Sequence, residues 1–142
     1  MSALRRTKAP SARVGQLDPK RLLDLHVHRP VPGVSVVEVV GEVDLCTAPH
    51  LSEVVEARIR STVGVVIIDL GRTTFLAVAG LKVLRRMQLL AELLDTDFYV
   101  DPGDSHPARR LLQLMPLGCE RPGAATGLSP VDVPGQRRRL TT

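Results

Sequence analysis

The chain has 142 residues, 44% of them hydrophobic, which suits one domain with one core; with no Trp, one Tyr and two Phe, that core has to be aliphatic. No stretch approaches the roughly 18 to 20 continuous apolar residues of a membrane span, and no apolar signal-peptide core follows the basic start MSALRRTKAP, so a cytoplasmic protein with no membrane association is expected. The net charge of +4 sits in the ends, with six basic groups against one acid in residues 1–21, three against one in 122–142, and ten against thirteen between them; without aromatic interleaving this speaks against a nucleic-acid surface.

Residues 1–20 mix Arg, Lys, Pro, Ser and Gly without apolar periodicity and read as a flexible basic tail before a domain at 21–121. Leu23, Leu25 and Val27 alternate with Asp24, His26 and His28 in an edge-type strand. Pro30, Val31, Pro32 and Gly33 turn the chain into a second strand at 34–43, which brings Val37, Val39 and Val40 inward and makes a hairpin with the first. Thr47 is positioned to cap a helix running to about Thr62, with Pro49 in its first turn and an apolar face of Leu51, Val54, Val55 and Ile59.

Val65, Val66, Ile67 and Ile68 are apolar on both faces, as in a central parallel strand covered by helices on two sides, and Asp69 marks its carboxyl end. Strand, crossover helix and strand imply parallel pairing and an α/β fold, a mixed and mostly parallel sheet with helices packed on it. Thr73 and Thr74 read as strand-end or turn residues. The next helix opens on Leu76, Ala77, Val78, Ala79 and Gly80, a run without any capping side chain. Val83, Leu84, Met87, Leu90, Ala91 and Leu94 give that helix a wide core face, flanked by Leu89 and Leu93. A short strand at 97–100 follows, then a third helix with Pro107 early in it, Leu111, Leu112, Leu114 and Met115 as its apolar side, and Pro116 and Gly118 as its stop. Residues 122–142, rich in Pro and Gly and ending in Arg137, Arg138 and Arg139 before the last three residues, read as a flexible tail.

Candidate chemistry is sparse. His26 and His28 share a strand face, yet no third ligand is fixed nearby, and alternating polar residues are what an exposed strand face carries anyway. Cys46 and His50 are four apart around a helix start, which Pro49 and that start already explain. Cys46 and Cys119 belong to no CxxC or Cys/His cluster and are expected as structural thiols. No phosphate-binding glycine loop, dinucleotide fingerprint, HExxH or GxSxG occurs, and Asp69 is expected to be structural. Neither an enzyme nor a bound cofactor or metal is expected.

The segment Gly41-Glu42-Val43-Asp44-Leu45-Cys46-Thr47-Ala48-Pro49, followed by residues 65–71, Phe75-Leu76 and Gly80-Leu81, resembles the STAS domain of anti-sigma factor antagonists. Pro107-Ala108-Arg109-Arg110-Leu111-Leu112 with Leu117-Gly118 is similar to that family's third helix, so the resemblance covers about residues 22–119. In such proteins Phe-Leu is usually followed by Asp-Ser-Ser-Gly or a close variant, and the residue before the Gly is phosphorylated by an anti-sigma kinase. Here the corresponding residues are Ala77, Val78 and Ala79. The resemblance therefore implies a scaffold without its usual carboxylate and without a phospho-acceptor at 79.

Two functions are open on this reading. The first is a non-enzymatic module that docks on an anti-sigma factor or related regulatory protein through Asp44, Leu45, Cys46 and Thr47 together with Leu76, Ala77, Val78, Ala79 and Gly80. It would be constitutively binding-competent or redirected to another partner. The alternative is a small-ligand or nucleotide sensor holding an anion at the helix amino end near Gly80 and Lys82.

Overall fold

The computed structural model describes residues 22–62 and 64–126; the tail expected at 1–20 and all but residues 122–126 of the one expected at 122–142 lie outside the described residues. Four strands, β1 (Leu23–His28), β2 (Val34–Val43), β3 (Val65–Leu76) and β4 (Asp97–Asp101), alternate with three helices, α1 (Ala48–Ser61), α2 (Val78–Leu93) and α3 (His106–Leu114). The sheet order is β1-β2-β3-β4. β1 and β2 form the expected antiparallel hairpin, whereas β2, β3 and β4 run parallel, so the sheet is mixed and mostly parallel.

The apolar alternation along the strands divides the core between two sheet faces. Val37, Val39, Val43, Val66, Ile68 and Leu70 point to one face, where Leu51, Val55 and Ile59 of α1, Leu84 and Ala91 of α2, and Ala108 and Leu112 of α3 cover them. Val34, Val36, Val65, Ile67 and Tyr99 point to the other, with Val31, Ala124 and Ala125 against them. β3 is thus buried on both faces, but among the described residues all three helices lie on the first. The expectation of helices on both sides is corrected: on the second face the cover named here is the β1–β2 turn and a turn at 122–126. The carboxylate of Asp101 holds that turn in place by accepting from Gly123 N at 3.0 Å and Ala125 N at 3.0 Å, while Arg121 lies over the Tyr99 ring.

β3 does not end at Asp69. It continues to Leu76 because β2 offers a partner along its whole length, from Val34 opposite Val65 to Val43 opposite Leu76. Two register shifts, the second between Gly41 and Glu42, let the paired strands bend without parting. Gly41 has a φ of 112°, and a side chain there would collide with the Leu22 carbonyl. Thr73 therefore lies inside the ladder, buried, with Oγ1 donating to the Val39 carbonyl, rather than in a turn.

Several expected core positions move outward. Val40 and Leu25 are half-buried, and Val27, Leu94, Leu114 and Met115 are exposed. α3 is short, so only its Ala108 and Leu112 reach the sheet fully, with Leu111 at the margin. Its amino end carries a cap that the sequence reading overlooked: Ser105 Oγ accepts from Ala108 N and donates to the Thr73 carbonyl at 2.6 Å, tying α3 to β3.

Candidate functional site: two loops at the carboxyl ends of β2 and β3

Because β2 and β3 are parallel neighbours, the loops that leave their carboxyl ends emerge side by side. Val43 and Leu76 are register partners, and one residue further on Ala77 N donates to the Val43 carbonyl at 2.8 Å. The two candidate segments, 44–47 and 76–80, are thereby joined through backbone as soon as they leave the sheet.

The first loop is knotted by its own side chains. Asp44 Oδ1 accepts from Cys46 N and Thr47 N, each at 2.9 Å, the turn that an Asp side chain makes with the residues after it. Thr47 Oγ1 accepts from Asp44 N and donates to the Glu42 carbonyl, both at 2.9 Å. The expectation that Thr47 caps α1 is corrected here: its φ and ψ of −93° and −17° are helical rather than extended, its hydroxyl is taken up by the turn, and it makes no side-chain bond to the helix. The knot thrusts Leu45 outward, where 79% of it is exposed.

The second loop enters α2 as its sequence suggests, without a cap. Ala77 occupies the capping position in extended conformation, φ −88° and ψ 166°, with no side chain able to reach the helix. Its carbonyl accepts from Gly80 N and Leu81 N. Gly80 is buried against β2; a Cβ there would stand 2.5 Å from Val43 Cγ1 and 2.9 Å from Leu76 Cδ1. The third residue of α2 therefore lies flush on the end of the sheet. Residues 75–95 include no Ser, Thr or Tyr, so this entrance offers no hydroxyl.

The nine expected residues fall into two sets. Thr47, Leu76 and Gly80 are buried and position the loops. Leu45, Cys46 and Val78 are exposed, with Asp44, Ala77 and Ala79 half-buried beside them, and these six form the accessible surface. Phe75, absent from the expected set, is also 49% exposed, because strand alternation that buries Leu76 turns its neighbour outward.

The other candidates do not converge. His26 and His28 lie exposed on β1, and among the described residues no group of three His, Cys, Asp or Glu side chains is placed to hold a metal ion. His50 Nδ1 lies 3.9 Å from Glu53 Oε1. Cys46 and Cys119 are both free; Cys119 is buried, and desolvation, reinforced by Glu120, pushes its thiol up to about 12, the property of an inert core residue. Asp69 accepts from Gly71 N at 2.9 Å, yet partial burial raises its pKa, with Asp101 and Glu38 on the flanking strands adding to the rise and His28 opposing it.

The STAS domain model matches residues 27–100, a span that holds both loops together with β2, β3 and the helices between β2 and β4. The chain belongs to the STAS domain family. An anti-sigma factor antagonist from Mycobacterium paratuberculosis is 30% identical, with a TM-score of 0.55, over 84% of this chain and 92% of that one. The anti-sigma factor antagonist SpoIIAA in its unphosphorylated form superposes with a TM-score of 0.58 at 15% identity, over 69% of this chain and 86% of that one. Murine Slc26a9, an anion transporter, shares the fold at a TM-score of 0.55 and 15% identity, but only 17% of that protein is covered. The STAS fold thus serves in both regulators and transporters, and function has to be argued from the site. In this chain no helix among the described residues is long and apolar enough to cross a membrane. No curated protein matches the sequence.

Proposed function

We propose that this STAS domain is a non-enzymatic protein-binding regulator that docks on an anti-sigma factor or related regulatory protein through the paired loops, with residue 79 held in a permanently unphosphorylated state. The observation that carries the reading is the hydrogen bond from Ala77 N to the Val43 carbonyl, which joins both loops into one surface whose accessible side chains include Leu45, Val78 and Ala79. A contiguous apolar patch framed by polar residues is what a protein partner covers. A phosphate would bring roughly −1.5 to −2 charges to this surface and oppose docking, and alanine cannot carry one. The 30% identity to an anti-sigma factor antagonist supports the choice of partner class.

The test is capture of purified anti-sigma kinases by the full chain and by Ala79→Glu, which puts a negative charge where a phosphate would stand. Ala79 lies half-buried in the first turn of α2, a place where an acidic side chain is tolerated, so the variant is expected to fold. Capture by the wild type and its loss in Ala79→Glu are expected. Equal capture by both would remove this surface from consideration. Incubation with kinase and ATP is expected to leave residues 76–80 without phosphate.

A further inference from the structure

A groove runs between α1 and α2, starting at the paired loops. On α2 its wall is the stripe Ala79, Lys82, Val83 and Arg86, spaced i, i+3, i+4, i+7; on α1 it is Ala48, Ser52 and Glu56, spaced i, i+4, i+8. Leu45 stands at the mouth, and Ala48 and Val83, each no more than 5% exposed, make the floor. The walls extend over about two helical turns, on the order of 11 Å.

The charges on the two walls are unequal in what they leave available. Glu56 is paired on its own helix with Arg60 at 3.0 Å. That leaves Glu53, also on the α1 wall, with 82% of its side chain exposed and only the His50 imidazole near it at 3.9 Å, as the one carboxylate there without an Arg or Lys partner among the described residues. Lys82 and Arg86 are exposed and make no ion pair among the described residues. They stand four residues apart on one wall, about 6 Å along the helix axis, above an apolar floor. The groove lies between two helices and offers no free strand edge. An extended peptide would find no ladder there, whereas a helix satisfies its own backbone and needs only an apolar stripe.

We infer that this groove seats an acidic amphipathic helix of the partner protein, its apolar stripe on Leu45, Ala48, Ala79 and Val83 and two carboxylates, one turn apart, against Lys82 and Arg86. The inference deepens the docking function proposed above and rests on it, since Leu45 and Ala79 belong to both surfaces. It assigns α2 a role beyond its entrance: the entrance admits the partner, and the cationic wall selects it by charge.

The probes are two synthetic amphipathic helical peptides with the same leucine stripe, one with Glu and one with Lys flanking it, titrated into the full chain at low salt and followed by amide NMR. The acidic peptide is expected to bind at least about tenfold more tightly than the basic one, with shifts concentrated at Ala79, Lys82, Val83 and Arg86. In the double variant Lys82→Glu, Arg86→Glu the order of the two peptides reverses, and in Lys82→Gln, Arg86→Gln the preference disappears. Both pairs of substitutions are at exposed positions, so intact amide spectra are expected. Equal binding of the two peptides to the wild type, shifts mapping elsewhere, or an unchanged order in the charge-reversed variant would overturn the inference. Repeating capture of the anti-sigma kinase with the charge-reversed variant separates the two readings. Unchanged capture alongside its loss in Ala79→Glu overturns the groove and leaves the paired-loop surface standing; unchanged capture by both variants overturns the groove and removes the paired-loop surface as well, and no capture by the wild type removes the docking function itself.

Discussion

Gly80 of α2 rests on the side chain of Val43 at the end of β2, so closely that a Cβ at position 80 would come within 2.5 Å of Val43 Cγ1 and 3.3 Å of its Cβ. Val43 cannot yield: it is fully buried and β-branched, with little rotamer freedom. Gly80→Ala is expected to destabilise the fold by about 1–3 kcal/mol, the usual cost of overpacking, and this outweighs the gain of up to about 1 kcal/mol from better helix propensity. The check is urea unfolding of Gly80→Ala, Val43→Ala and the double variant. Coupling should make the double loss smaller than the sum of the single losses, and strict additivity would mean the two residues do not share this contact.

Ala77 already has the backbone of a helix cap and lacks only the side chain, so Ala77→Asp or Ala77→Ser should stabilise the protein by about 0.5–2 kcal/mol. The hydrogen bond from Ala77 N to the Val43 carbonyl is backbone and survives the change. An increase in Tm of a few degrees in thermal unfolding is expected. If docking uses the apolar entrance, the same aspartate weakens capture of the partner while strengthening the fold, a trade between stability and binding at a single residue.

Thr47 is fully buried, and its hydroxyl satisfies both Asp44 N and the Glu42 carbonyl. Thr47→Val preserves the shape and strands both backbone groups, so a loss of about 1–3 kcal/mol is expected. Thr47→Ser keeps the hydroxyl and is expected to cost less in urea unfolding; equal losses would assign the effect to the methyl group rather than to the knot. A lost knot also frees Leu45, so amide exchange at 44–47 should rise in Thr47→Val and not in Thr47→Ser.

Periodicity revealed those features that repeat along the sequence. The continuous apolar run of Val65 to Ile68 announced a doubly buried strand, the spacing of Leu51, Val55 and Ile59 announced α1, and the missing hydroxyls at 77–79 announced an uncapped helix. Features that depend on a distant partner were not legible. Residues 70–76 look like a connection after Asp69, and only the pairing with β2 makes them a strand. Thr47 looks like a cap until Asp44 and Glu42 compete for its hydroxyl, and Ser105 gains its meaning from the Thr73 carbonyl, 32 residues earlier. The groove was legible in part: Ala79, Lys82, Val83 and Arg86 share a helical face in the sequence, but that α1 lies opposite them is a fact of packing.

Asp69 gives the fold a pH dependence of definite sign. It sits half-buried on β3 opposite Glu38 of β2 and Asp101 of β4, and desolvation first, then these two carboxylates, raise its pKa, against the Gly71 N–H bond and His28, which lower it. A carboxyl whose pKa is higher in the folded state holds its proton after the unfolded chain has released it. Its contribution is fully present below the ordinary value of about 3.9 and is lost as the pH rises through the folded value. Asn at this position keeps an acceptor for Gly71 N and removes the charge. Asp69→Asn is therefore expected to be more stable than the wild type at neutral pH, with the advantage shrinking as the solution is acidified below the ordinary carboxyl range. Urea unfolding of both proteins across that range measures the difference, and the carboxyl carbon shift of Asp69 gives its titration directly. A midpoint at or below the ordinary aspartate value, or a variant less stable at neutral pH, would show that the Gly71 N–H bond outweighs burial and the neighbouring carboxylates.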